Sequence, residues 1–268
     1  MKRALVLAAS LTFALPALAD APEKTIQTAT AAVERGAFDQ AVDELEALSD
    51  RGYSHPAASY ARARAYLERA RSRSARPGDL GRAVAALEEY RRLRPGEAQV
   101  DQALETIRAE LGRRRARRGG SPIDQGMPLG RAVVGLVSEE VWAILAVVGS
   151  ALLTLGLLLR RTTRARSAEI AGAIAIVSGL VVSVLGAGMT RAAQRYRQTS
   201  KPAVVVAPEA RLYDPEGRAL PQTANNPNVV PEGALVYVHG RRDAYFDVEW
   251  GSLRGQVDAT QLRLVGER

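Results

Sequence analysis

Apolar residues recur in three different rhythms along these 268 residues. From residue 22 to about 111, alanine and leucine return every three to four positions among glutamate and arginine, which is the helical period. Residues 141–159 and 170–189 carry no charge at all, and each is about the length of a membrane-crossing helix. After Lys201 the runs become short, β-branched and aromatic, punctuated by Pro, Gly and Asn-Asn-Pro, the mark of strands and tight turns. Phe246, Val248 and Trp250 alternate with Tyr245, Asp247 and Glu249, so that strand has one dry and one wet face. Gly251-Ser252 supplies the turn into a partner strand over 253–257. The expected fold class is multidomain: all-α helical repeats, a two-helix transmembrane hairpin and a small all-β domain.

The helical region repeats itself. GAFDQAVDELEAL from Gly36 aligns with GDLGRAVAALEEY from Gly78 at a constant offset of 42 residues. Phe38 matches Leu80, Ala41 matches Ala83, Val42 matches Val84, Leu45 matches Leu87, and Leu48 matches Tyr90. The second copy closes on Leu93-Arg94-Pro95-Gly96, a helix stop. These residues resemble the tetratricopeptide repeat family. Gly36, Phe38 and Ala41 fit its second helix, as do Gly78, Leu80, Ala83 and Pro95, the small alanine letting paired helices approach. The offset exceeds the usual 34 residues, and SRSARP (72–77) accounts for the excess as an insertion between helices. His55-Pro56 then opens the second repeat's first helix, with Tyr60, Ala63 and Leu67 as its inner face, and a last helix covers 98–111. The resemblance implies a concave surface for a partner peptide or protein; the plainer alternative is a helical spacer without a partner.

Charge decides how these parts sit about a membrane. The net charge is +8, and the arginines crowd around the apolar segments, where topology and lipid headgroups explain them as well as nucleic acid would, which weakens a nucleic-acid reading. MKRALVLAASLTFALPALAD has a basic start, a short apolar run and an Ala17-Leu18-Ala19 cleavage motif, so 1–19 reads as a secretory signal peptide. Between the spans lies RRTTRARS. Short arginine-rich loops stay cytoplasmic, so Arg160, Arg161, Arg164 and Arg166 are expected inside and both flanking domains outside. RRRARRGG (113–120) and Arg191, Arg195, Arg197 and Lys201 then fall on the outer side; a solvated linker near anionic headgroups is their expected role. In the second span Ala171, Ala175, Gly179, Ser183 and Ala187 recur every four residues, candidates for close helix packing. Ala146, Ser150 and Thr154 do the same in the first.

The β region resembles bacterial SH3-like domains. Pro231-Glu232-Gly233 before a strand over 234–238, Tyr245-x-x-Val248, Gly255-x-Val257 and a closing run over 262–265 carry the likeness. Gln256 stands where that family has Trp in its Gly-Trp-Val element, and Tyr245 where another Trp is common. Tyr213, Tyr237 and Tyr245 are the candidates for an aromatic ligand groove; core packing is the alternative for Tyr237 and Trp250.

Catalytic chemistry is not expected. The sequence has no cysteine, hence no disulfide or thiolate site. His55 and His239 have no acidic or imidazole neighbour at metal-ligand spacing. Phosphate loops and nucleophile elbows are missing, and Glu139-Glu140 reads as an interfacial cap. No catalytic, cofactor or metal residue is assigned, and no cofactor is expected. The order of parts is a signal peptide (1–19), a helical repeat domain (20–112), a basic linker (113–140), a span (141–159), an arginine loop (160–169), a span (170–189), a linker (190–202) and a β domain (203–268). That order resembles the BatE-type proteins of the Bat aerotolerance group. The resemblance implies a bacterial inner-membrane scaffold with both domains periplasmic. It also implies membrane-protein partners with von Willebrand factor A domains and a MoxR-type ATPase system. Membrane lipids are the other expected contact and nucleic acid is not; the alternative is a wall-sensing protein whose SH3-like domain binds peptidoglycan.

Overall fold

The computed structural model describes residues 22–117, 119–120, 129–162, 166–222 and 228–266. The expected signal peptide and Arg164 lie outside them. Five helices come first: α1 (Pro22–Glu34), α2 (Phe38–Asp50), α3 (Pro56–Arg71), α4 (Asp79–Leu93) and α5 (Ala98–Ala116). α1 packs on α2 and α3 on α4, with α5 against α4, giving a layer of helical hairpins. The repeat register holds in three dimensions: Ala41 and Ala83 are fully buried, and Val42, Val84, Leu45, Leu87, Leu48 and Tyr90 all lie in the core. Gly36 and Gly78 both adopt positive φ ahead of the second helix of their pair, +76° and +86°. His55 caps α3 through Nδ1, which accepts from the Ala57 N–H at 3.2 Å, with Pro56 in the first turn. The 72–77 insertion forms the turn between α3 and α4.

The inner face of α3 differs from expectation. Ala63 is buried and Leu67 half-buried, but Tyr60 is exposed, and Arg62, Tyr66 and Arg69 turn inward instead. Burial of those arginines is possible because carboxylates from both flanking helices meet them. α5 also runs past the expected boundary, carrying 113–116 as helix rather than linker. Arginines in a last turn suit the negative end of the helix dipole, and Arg114 pairs with Glu110 one turn back at 2.5 Å.

A short helix α6 (Leu129–Val134) precedes two long ones, α7 (Glu139–Thr162) and α8 (Arg166–Thr199), which pack antiparallel along their length. Both are long and apolar enough to cross a membrane. Large aliphatic side chains, Val147, Leu158, Ile174, Val177 and Val184 among them, point outward from this hairpin, a surface that water-soluble proteins avoid. At 1.5 Å per residue α8 is about 51 Å long against a bilayer core of about 30 Å. The expected 190–202 linker is therefore mostly rigid helix, and a single residue, Ser200, separates it from the first strand.

The strands are β1 (Lys201–Val205), β2 (Glu209–Arg211), β3 (Val229–Pro231), β4 (Leu235–Arg242), β5 (Tyr245–Trp250), β6 (Leu253–Asp258) and β7 (Leu262–Leu264). An antiparallel sheet runs β6-β5-β4-β1-β7, and β2 pairs with β3 in a second, two-stranded sheet. Val205, Leu212, Val236, Val248, Trp250 and Val257 fill its interior, with Phe246 packed beside them. Val204, Val206 and Val265 instead join the helical core. β1 is thus buried on both faces, which explains the unbroken AVVV run where a half-exposed strand would alternate.

Candidate functional site

Two surfaces and one seam concentrate the side chains of interest. The seam joins the helical layer to the sheet, although the hairpin separates them in sequence. Its apolar part is β1 and Val265 against α4. Its polar part is specific. The Gly81 N–H in the first turn of α4 donates to Glu232 Oε1 at 2.8 Å. Arg92 donates to the carbonyls of Val265 and Gly266, both at 2.8 Å. Arg263 Nη1 meets Glu46 Oε2 at 2.7 Å. Burial pushes the Glu232 carboxyl above its ordinary range; the Gly81 N–H and the Arg114 charge pull back without cancelling it.

Beneath the seam lies a buried charge network. Arg69, 3% exposed, grips Asp79 through Nε (3.1 Å) and Nη2 (2.6 Å) and reaches Asp39 through Nη1 at 2.9 Å. Arg62 pairs with Glu89 and lies 3.7 Å from Glu46. The Tyr66 hydroxyl donates to Glu46 Oε1 at 2.8 Å, and burial followed by the Glu46 charge raises its pKa. One legible signal was available for this network. Arg62 and Arg69 are seven apart on α3, as Asp39 and Glu46 are on α2, so both pairs line a helix face.

The first surface is a groove of about 420 Å³ between α3 and α5, lined by Tyr60, Ala63, Leu67, Arg71, Gln102 and Thr106. The repeat motif residues do not enter it. Ala41, Leu80 and Ala83 are core, Phe38 is half-buried, and Gly36, Gly78 and the exposed Pro95 lie in turns. The second surface is aromatic. Tyr213 and Tyr245 meet edge to face at 5.9 Å between centroids, beside Gln256, whose amide donates to Asp247 at 2.8 Å. Tyr237 does not join them. Its ring lies under Arg131 of α6, 3.4 Å from Cζ to centroid.

In the hairpin the backbones touch through glycine. A Cβ on Gly179 would meet the Leu153 N at 2.5 Å, one on Gly156 the Gly172 carbonyl at 2.8 Å, and one on Gly186 the Ala146 N at 2.6 Å. Ser150 and Ser183 hydroxyls share a hydrogen bond of 2.9 Å across the seam. Of the expected stripe, Gly179 is buried here and Ala175 and Ser183 are half-buried, whereas Ala171 and Ala187 point outward. The reason is angular. Each step of four residues advances about 40° round a helix, so the stripe sweeps about 160° from end to end, while a step of seven drifts only about 20°. Gly172, Gly179 and Gly186, spaced by seven, stay on the seam.

Arg160, Arg161 and Arg166 sit at the turn end of the hairpin, exposed. At the opposite end Glu139 pairs with Arg197 and accepts from Gln194 at 3.2 Å, which neutralises part of the basic cluster there. His55 is a helix cap, and His239 meets Glu249 at 2.6 Å across β4 and β5. Among the described residues no group of three or more His, Asp or Glu is placed to hold a metal ion. No protein-family model matches the chain, and no curated protein or solved structure matches it either.

Proposed function

We propose that the chain is a non-enzymatic scaffold of a bacterial inner membrane, of the Bat aerotolerance type, that holds partner proteins beside the lipid. In this reading α1–α5 are tetratricopeptide-like repeats and β1–β7 an SH3-like barrel. The observation that carries it is the seam. The helical layer and the sheet pack as one body at the end of the hairpin where α7 begins and α8 finishes, and the arginine turn is at the other end. A body assembled from both flanks lies on a single side of the bilayer. The loop arginines and the signal-peptide-like start both favour the periplasm for it. The α3–α5 groove suits a partner segment, and the A-domain membrane proteins and MoxR-type ATPase system of the family are its expected company.

A reporter that works only in the cytoplasm is expected to be active when fused after Thr162 and silent after Arg268, with the reverse for a periplasmic reporter. Activity of the cytoplasmic reporter at the C-terminus would refute the arrangement. Crosslinking in cells followed by purification is expected to recover membrane proteins, and recovery of none would refute the scaffold role. The Tyr213–Tyr245 pair favours a second reading, binding of peptidoglycan by the sheet. Retention of the intact protein on purified sacculi, lost in Tyr245→Ala, would support that reading over the first.

A further inference from the structure

Where the hairpin meets the folded body, one arginine of α6 touches both the end of α8 and β4. Arg131 lies on α6 and is 8% exposed. Its guanidinium stacks between the ring of Tyr196 near the end of α8, 4.9 Å from Cζ to centroid, and that of Tyr237 on β4 at 3.4 Å. Nη2 donates to the Ser200 hydroxyl at 2.8 Å, and that hydroxyl donates to the Tyr196 carbonyl at 2.6 Å. The cation therefore sits against the carbonyl end of α8, where the helix dipole favours positive charge, and between two aromatic faces that favour it again. α6 is itself held to the hairpin, since the Trp142 indole N–H of α7 donates to the Val134 carbonyl at 3.1 Å.

Ser200 is the only residue between α8 and β1. Its two backbone dihedrals would be a free hinge if nothing else crossed the joint. We infer that Arg131 is an orientation lock. It stacks α6, the end of α8 and β4 on one guanidinium, so that the pose of the helical layer and sheet is set by the hairpin and any tilt of the hairpin is carried to the groove. A lysine cannot replace it, because an ammonium has no planar faces to fill the gap between two rings. The role deepens the scaffold reading, to which it adds a means of regulation. It concerns geometry within one molecule and is the same whichever side of the membrane the body occupies.

The test uses the full chain in lipid nanodiscs. Because the protein has no cysteine, spin labels can be placed at will: Val147→Cys on the outer face of α7 with Ser252→Cys in the β5–β6 turn, and Asp43→Cys with Ser252→Cys as a pair inside the body. The 147–252 distance distribution is expected to be narrow and to broaden at least about twofold in Arg131→Ala, Arg131→Lys and Tyr237→Leu, while the 43–252 pair stays narrow. A 147–252 distribution unchanged in Arg131→Ala and Tyr237→Leu would overturn the lock, as would broadening of both pairs in both variants, which would make Arg131 a folding residue. Failure of the topology reporters with broadening intact would remove the scaffold reading and leave the lock standing.

Discussion

Gly36 and Gly78 occupy matching places in the internal repeat and share the left-handed conformation, yet their surroundings differ. A Cβ on Gly36 would meet nothing within 4 Å, whereas one on Gly78 would run into the Val206 carbonyl of the sheet. Gly36→Ala is expected to cost about 1–2 kcal/mol of backbone strain alone. Gly78→Ala should cost clearly more and lower the melting temperature further, as read by circular dichroism in detergent. Equal losses would mean the sheet does not sit on α4. Glu232 allows a pH test. Its folded pKa is raised above the ordinary 4.5, so its contribution to docking is full below that value and fades as pH rises through the folded pKa. As the pH rises above 4.5 the wild type is expected to lose stability relative to Glu232→Gln, which still accepts from Gly81 but never ionises. Parallel curves would show that the carboxyl is not sealed in the seam.

Among the elements, the hairpin is where small size matters most. Gly179 faces Leu153 and Gly149 so closely that any side chain must push the helices apart. Oxidation of a Ser150→Cys, Ser183→Cys pair is expected to link α7 and α8 efficiently, since the parent hydroxyls are 2.9 Å apart. Gly179→Leu should abolish that crosslink, while Ala187→Leu, on the outward face, should leave it intact. The contrast separates the true seam from the stripe of small residues that includes Ala171 and Ala187. The existence of both helices was readable from apolar length alone, but the facing side was not. About half of the second span is small, and only the antiparallel partner selects the positions that recur every seven.

For the whole molecule, the seam makes one body of two stretches that lie on either side of the hairpin. Pieces 22–117 and 200–268, produced separately, are expected to co-elute on size exclusion. Arg92→Ala together with Arg263→Ala removes the bonds to Val265, Gly266 and Glu46, and should weaken that association by at least about tenfold at roughly 1 kcal/mol per hydrogen bond. Pieces that ignore each other would undo the seam. The groove between α3 and α5 and the Tyr213–Tyr245 pair are then carried by a single unit whose pose is held at Arg131.

Local pattern was enough to determine the helices of the repeat, their register over 42 residues, the two apolar spans and the strands around Trp250, because each depends on periodicity or length within a short window. The unbroken valines of β1 read along the chain as one more β-branched run, with no sign of what covers its second face. Tertiary structure alone decided that α4 covers it. It also turned Arg62 and Arg69 inward to meet carboxylates from other helices, parted Tyr237 from Tyr213 and Tyr245, and set Arg131 between two rings. Most of those outcomes depend on a partner far along the chain, as with Glu89 for Arg62, Asp39 for Arg69 and Tyr237 for Arg131. Even Asp79, ten residues from Arg69, meets it from another helix.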